Sequence, residues 1–126
     1  MSARRRYQKT LSIACVNFNT VWGDKRANVE KMKAFIEDAA AQGNEMVVFP
    51  ESSLCGFECD EEGTTQQKEC TMHRELAETI PGPATEEIAE LAKARGVYVV
   101  FGMSERDKQN PDVHYNSSVV ISPEKI

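Results

Sequence analysis

Residues 46–57 place the tightest constraint on the fold of this chain. They begin with Met-Val-Val-Phe, four apolar residues of which two are β-branched, a pattern typical of a short buried strand. Pro50 ends that strand, because proline has no N–H to donate to a sheet ladder. Glu51 therefore follows the carboxyl end of a buried strand, the edge where open α/β sheets bind their ligands. We expect Glu51 to be half-buried there and to be a candidate general acid or base.

The rest of the chain alternates between strand and helix patterns. Residues 11–18 carry apolar side chains on both faces, which predicts an interior strand covered on two sides. Asp24 can cap a helix that runs to about residue 42, and strand, helix and the 46–49 strand then form a parallel βαβ unit. A long loop over 52–76, a helix over 83–95 and strands over 97–103 and 115–121 follow. The order β-α-β-loop-α-β-β predicts the α/β class.

Length and charge narrow the possible partners. The 126 residues allow one domain at most, with 40% apolar and 28% charged residues as in ordinary globular proteins. Four basic residues fall within 1–9, which we interpret as a basic flexible tail, and eleven basic residues remain against twenty acidic ones. This acidic body argues against nucleic acid as a partner. No apolar stretch is long enough to span a membrane, so we expect a soluble cytoplasmic protein.

The segment around Glu51 also carries a family resemblance. The sequence Phe-Pro-Glu at 49–51, with Gly-Phe at 56–57, resembles the Phe-Pro-Glu-x-x-x-x-Gly-aromatic segment of the nitrilase, or carbon-nitrogen hydrolase, superfamily. The resemblance runs from residue 11 to 126. It implies that residues 10–126 are the N-terminal portion of a carbon-nitrogen hydrolase domain, which is a four-layer αββα sandwich.

The resemblance implies a chemistry as well. In this superfamily a Glu-Lys-Cys set hydrolyses non-peptide carbon-nitrogen bonds without a cofactor, and Glu51 corresponds to the glutamate that acts as general base. On base rates within the family, we expect a small amide or N-carbamoyl substrate ahead of a nitrile. The lysine and the cysteine are expected beyond Ile126, so the 126-residue chain alone is predicted to be inactive.

Two alternatives from other classes stay open. The first is an inactive binding or dimerisation module. One half of a sandwich would expose an apolar sheet face, so we expect either the missing C-terminal half or a homo-oligomer to cover it.

The second alternative is a structural zinc module. Cys55, Cys59, Cys70 and His73 form a Cys-x3-Cys-x10-Cys-x2-His pattern, which contains the ligand types of tetrahedral zinc. The pairs are close together and lack the usual turn glycines, so this reading ranks below the hydrolase. Cys15 lies inside the first predicted strand and is expected to be a core residue. We expect the cysteines to be reduced and Cys55 not to serve as a nucleophile, since no activating cation is apparent.

Overall fold

The computed structural model describes residues 10–57 and 71–126. The predicted basic tail at 1–9 lies outside the described residues. The elements, in chain order, are β1 (Ile13–Cys15), α1 (Lys25–Ala41), β2 (Met46–Val48), α2 (Thr71–Leu76), α3 (Pro83–Arg95), β3 (Tyr98–Arg106) and β4 (His114–Ile121).

The four strands form one mixed sheet in the order β1-β2-β3-β4. β1 pairs with β2 and β2 pairs with β3 in parallel, whereas β4 runs antiparallel to β3. The predicted parallel βαβ unit and the α/β class are therefore confirmed. The parallel strands place their carboxyl ends at one edge of the sheet, which is the edge that bears on function.

Local sequence signals set the ends of both long helices. The Asp24 side chain accepts a hydrogen bond from the Ala27 backbone N–H at 2.9 Å and so caps α1. Gly43, with φ of +83°, follows the end of that helix. Pro83 occupies the first turn of α3, and Gly96 ends it in the left-handed conformation with φ of +67°. The predicted boundaries of these two helices are confirmed.

The core lies between the helices and one face of the sheet. Along β3, alternate residues point to this face, as the period of two requires. The completely buried side chains on the two sides of this core include Met32, Ile36 and Ile88 from the helices and Val99, Phe101 and Met103 from β3. Burial of such side chains supplies the main driving force for folding.

The other face of the sheet carries apolar side chains that are open in the described chain. Register places Ile13, Met46 and Tyr98 in one row and Val100 and Val120 in another. Ile13 is 46%, Tyr98 43% and Val120 57% exposed. We call these five residues the open face. It matches the exposed apolar surface expected of one half of a sandwich.

Two expectations about the first strand are wrong. β1 is three residues long and lies at the edge of the sheet, and Cys15 is exposed rather than part of the core. The reason is that α1 and α3 cover only one face of the sheet, so the strand is not sandwiched between two layers. Apolar residues on both faces of 11–18 therefore do not correspond to burial on both sides.

Two other boundaries differ from the prediction. The last six residues of the predicted 52–76 loop form α2, and β3 continues three residues past the predicted end at 103. β3 is longer because β4 pairs with it as far as Arg106, which lies opposite His114. Within residues 10–57 and 71–126, none of the helices has the length and apolar character needed to cross a membrane.

Candidate active site

The segment that carries Glu51 is anchored by Phe49. This residue is 5% exposed, and its ring contacts those of Phe18 and Phe35 at centroid distances of 5.8 and 6.5 Å. Its backbone N–H also donates to the Val100 carbonyl at 2.8 Å. Such tilted aromatic contacts stabilise a cluster beyond the area they bury. Glu51 therefore lies two residues after an anchored residue, Phe49.

Gly102 lets the Glu51 segment lie directly on β3. A Cβ at position 102 would come within 2.7 Å of the Glu51 Cα and 2.6 Å of the Ser52 nitrogen. The Gly102 N–H donates to the Pro50 carbonyl at 3.3 Å, and its carbonyl accepts from the Leu54 N–H, also at 3.3 Å. Glycine is needed here because no side chain fits between the two backbones.

The turn after Glu51 is a constrained one. Ser52 has φ of +53°, a left-handed conformation that residues other than glycine adopt rarely. The Ser52 carbonyl accepts from the Gly56 N–H at 2.8 Å, and the Ser53 hydroxyl donates to the Pro50 carbonyl. Strained backbone of this kind persists where the surrounding structure holds it, and it is frequent at functional sites.

Glu51 itself is exposed, so the expectation of half-burial is wrong. Its side chain lies at the carboxyl edge of the sheet, while α1 and α3 cover the face that holds the core. Its partner comes from β4, where the Asn116 Nδ2 donates to Glu51 Oε1 at 2.6 Å. Asn116 lies opposite Ser104 of β3 in the antiparallel register. No local signal in the sequence marks Asn116 as a site residue.

Glu51 and Asn116 share an open cavity of about 480 Å³. The cavity lies between the turn after β2, helix α2 and the paired ends of β3 and β4. Its lining comprises Glu51, Ser52, Phe57, His73, Arg74, Ser104, His114, Tyr115 and Asn116. A larger cavity of about 580 Å³ lies between α3 and residues 122–126, away from Glu51. We take the first as the candidate site because it combines a strained turn, an exposed carboxylate and the carboxyl edge of the parallel strands.

Both histidines lie at this cavity. His73, on α2, is half-buried with its Nδ1 3.1 Å from the Ser104 hydroxyl. His114 lies at the start of β4, with its Nδ1 3.2 Å from the Asp112 carbonyl oxygen. His73 reaches the cavity because α2 packs beside Ser104 of β3, and His114 reaches it because β4 pairs with β3. Neither placement has a local sequence signal.

Cys55 lies close to Glu51 in sequence but is buried, with 1% of its surface exposed. Burial raises the pKa of its thiol to about 11, an effect that the nearby Lys25 cation partly opposes. The thiol is therefore protonated at neutral pH, which does not suit a nucleophile. Cys59 and Cys70 lie outside the described residues, so the zinc pattern stays a prediction.

Most of the chain matches a family of known proteins. The family model described as Carbon-nitrogen hydrolase matches residues 12–126. The chain belongs to the carbon-nitrogen hydrolase family, as its Phe-Pro-Glu segment predicted.

Individual relatives agree with this assignment. The chain is 37% identical to Nitrilase 2 of Arabidopsis thaliana over 73% of this chain and 30% of the relative. It is 35% identical to Formamidase of Bacillus cereus over 80% of this chain and 29% of that protein. The fold resembles that of a CN-hydrolase superfamily protein of Xanthomonas campestris, with a TM-score of 0.70 and 24% identity over 90% of this chain and 37% of the other. The chain thus spans about a third of the length of these relatives.

Proposed function

We propose that Glu51 is the general base of a carbon-nitrogen hydrolase that acts on a small amide or N-carbamoyl substrate. The observation that carries the proposal is the placement of Glu51. It follows β2 at the carboxyl edge of the sheet, on a strained turn, with one oxygen held by Asn116 and the side chain open to a cavity. A base must lie within reach of the proton that it accepts, and an exposed carboxylate at a cavity meets that condition.

The proposed reaction follows from the family resemblance. A cysteine thiolate attacks the carbonyl carbon, loss of the amine leaves a thioester, and water releases the acid. Glu51 accepts and returns the protons, and a lysine stabilises the charge that develops on oxygen. We place that lysine and cysteine in the remainder of the complete domain. On this proposal the 126-residue chain alone has no activity.

A second substrate class has specific support. The relatives above include a protein named Nitrilase 2 as well as a formamidase. A nitrile has an electrophilic carbon that the same thiolate could attack, so nitrile hydrolysis is the second candidate.

The test is an assay of ammonia release by the natural polypeptide that contains this chain. Formamide, an N-carbamoyl amino acid and a short nitrile would be supplied in parallel. We expect turnover of at least one of them and a fall of about 1,000-fold in Glu51→Gln, since general acid–base groups contribute 100- to 10,000-fold. Glu90→Gln, an exposed glutamate on α3, is the matched control and should keep full activity. Activity in Glu51→Gln close to that of the unsubstituted protein would refute the assignment.

We propose further that the protein is cytoplasmic. We also propose that its open face is covered by a second half of the domain or by another copy of the chain. The support is the exposure of Ile13, Tyr98 and Val120 on one side of the sheet. Apolar patches of this kind favour association. The 126-residue chain should therefore self-associate in sedimentation velocity, and Val120→Lys should weaken that association. A stable monomer would count against this proposal and against the binding-module alternative alike.

A further inference from the structure

The contact between Asn116 and Glu51 joins a paired strand to an exposed carboxylate. Asn116 lies within β4, and residues on both sides of it pair with β3 from His114 to Ile121. Glu51 is exposed and has several rotatable side-chain bonds, which would otherwise leave its carboxylate with many orientations. The 2.6 Å hydrogen bond ties this exposed carboxylate to a strand that is paired along its length.

Chemistry fixes the direction of the hydrogen bond. An ionised carboxylate can only accept hydrogen bonds, and the Asn116 side chain offers donors only at Nδ2. The opposite amide orientation would place the Oδ1 lone pairs against Oε1, which is repulsive. Bonds from a neutral donor to an ionised acceptor are short and strong, as the 2.6 Å distance indicates. Oε1 is therefore engaged, and the structure gives Oε2 no partner among the described residues.

We propose that Asn116 is a positioning residue that holds Oε1 of Glu51 and so makes Oε2 the oxygen that transfers the proton. The inference rests on the proposed function. In the first step the bond from hydrogen to the attacking nucleophile breaks as the bond from hydrogen to Oε2 forms. In the second step the bond to Oε2 breaks as the leaving nitrogen gains the proton, and the carboxylate is regenerated.

The first measurement compares kcat and KM for Asn116→Ala with those for Ser118→Ala in the natural polypeptide. Ser118 is exposed, lies two residues along the same strand face and does not line the cavity. We expect Asn116→Ala to lower kcat about 30-fold with KM changed less than about threefold, because a misaligned catalytic group can cost about 100-fold in rate. Ser118→Ala should match the unsubstituted enzyme. A general structural defect would instead lower the melting temperature together with kcat.

The second measurement is the pH profile of kcat/KM for Asn116→Asp, which keeps the shape of the side chain. This variant tests the inference even if the alanine variant does not fold. It replaces the amide donor with a second carboxylate against Glu51. Two neighbouring carboxylates resist full ionisation, so the acid limb of the kcat/KM profile should move up by about one pH unit. The other titratable groups at the cavity, His73, Arg74, His114 and Tyr115, are unchanged in this variant.

The outcomes separate the inference from the function on which it rests. Activity that survives Glu51→Gln overturns the proposed function and the inference together. If Glu51→Gln is inactive while Asn116→Ala keeps kcat within about threefold, only the inference is overturned, since a misaligned group should cost more. An Asn116→Asp profile that coincides with that of the unsubstituted enzyme also overturns it.

Discussion

Two glutamates at the same end of the sheet have contrasting surroundings. Glu78 is 7% exposed, and its carboxylate accepts from Lys25 Nζ at 2.7 Å and from the Ala84 N–H at 2.8 Å. Its backbone bridges to β3 through Ser104 and Arg106. Glu51 is exposed, and in the described part of the chain its carboxylate has Asn116 as its partner.

The difference suits one glutamate to a structural role and the other to proton transfer. Both oxygens of Glu78 are satisfied by a cation and by the first turn of α3, so this carboxylate is a fixed anion that ties three segments together. Among the residues that the structure describes, one oxygen of Glu51 has no partner and lies beside a cavity, which is the condition for proton transfer. We expect substitutions at Glu78 to act mainly on stability and substitutions at Glu51 mainly on activity.

The largest effect on stability is expected from Glu78→Gln. Removing one partner of a buried ion pair leaves the other charge uncompensated, and Lys25 is only 29% exposed. We expect the free energy of unfolding in urea to fall by about 3 kcal/mol. Glu75→Gln, on the exposed side of α2, is the control and should change it by less than about 0.5 kcal/mol. If Glu78→Gln lowered the free energy of unfolding by less than about 1 kcal/mol, Glu78 would not have the structural role that distinguishes it from Glu51.

The second-largest effect on stability is expected from Gly102→Ala, because the added methyl group would press β3 against the turn that carries Glu51. The new Cβ would contact the Ser52 nitrogen at 2.6 Å. Overpacking of this kind costs about 2 kcal/mol, and the displaced Glu51 should also lose activity. Urea unfolding and ammonia release would be measured on one preparation, with Ser118→Ala, directly opposite on β4, as the control. Unchanged activity would show that Glu51 does not depend on this backbone contact.

A smaller effect concerns Cys55, next to the Glu51 turn. Its folded pKa of about 11 lies above the ordinary value of 9.0, so its contribution to stability is complete below that ordinary value and is lost as pH rises towards 11. Between about pH 8 and pH 10 this loss amounts to about 1.3 kcal/mol. The free energy of unfolding should therefore fall less over this interval in Cys55→Ala than in the unsubstituted chain. Equal slopes would contradict the buried, protonated thiol.

The smallest effect on stability is expected from Glu51→Gln. The side chain is exposed, and glutamine keeps an oxygen that can accept from Asn116. We expect a change in unfolding free energy below about 0.5 kcal/mol, beside the large loss of activity proposed above. A loss above about 1 kcal/mol would mean that Glu51, like Glu78, has a structural role.

The sequence was most informative where its signals are local. Asp24, Pro83 and Gly96 mark helix ends because capping depends on residues within one turn. The Phe-Pro-Glu segment identified the family and the candidate base. These features depend on contacts within a few residues, or on a motif read as a unit.

Features that depend on distant segments escaped the sequence analysis. Asn116 is 65 residues from Glu51, and only the register of β4 against β3 brings the two together. Glu78 acquires its role from Lys25, 53 residues away. The exposure of Cys15 follows from the number of layers over the sheet, which apolar alternation alone does not reveal.

The strand order has a consequence for how the chain folds. Because β1, β2, β3 and β4 are neighbours in the order in which they occur along the chain, each strand that leaves the ribosome meets the edge of the preceding strand. Among the strands of residues 10–57 and 71–126, none has to insert between two that are already paired, and the longest ladder joins the two that are closest in sequence. Short sequence separation between pairing partners favours rapid formation, so we expect β4 to pair with β3 soon after it is synthesised.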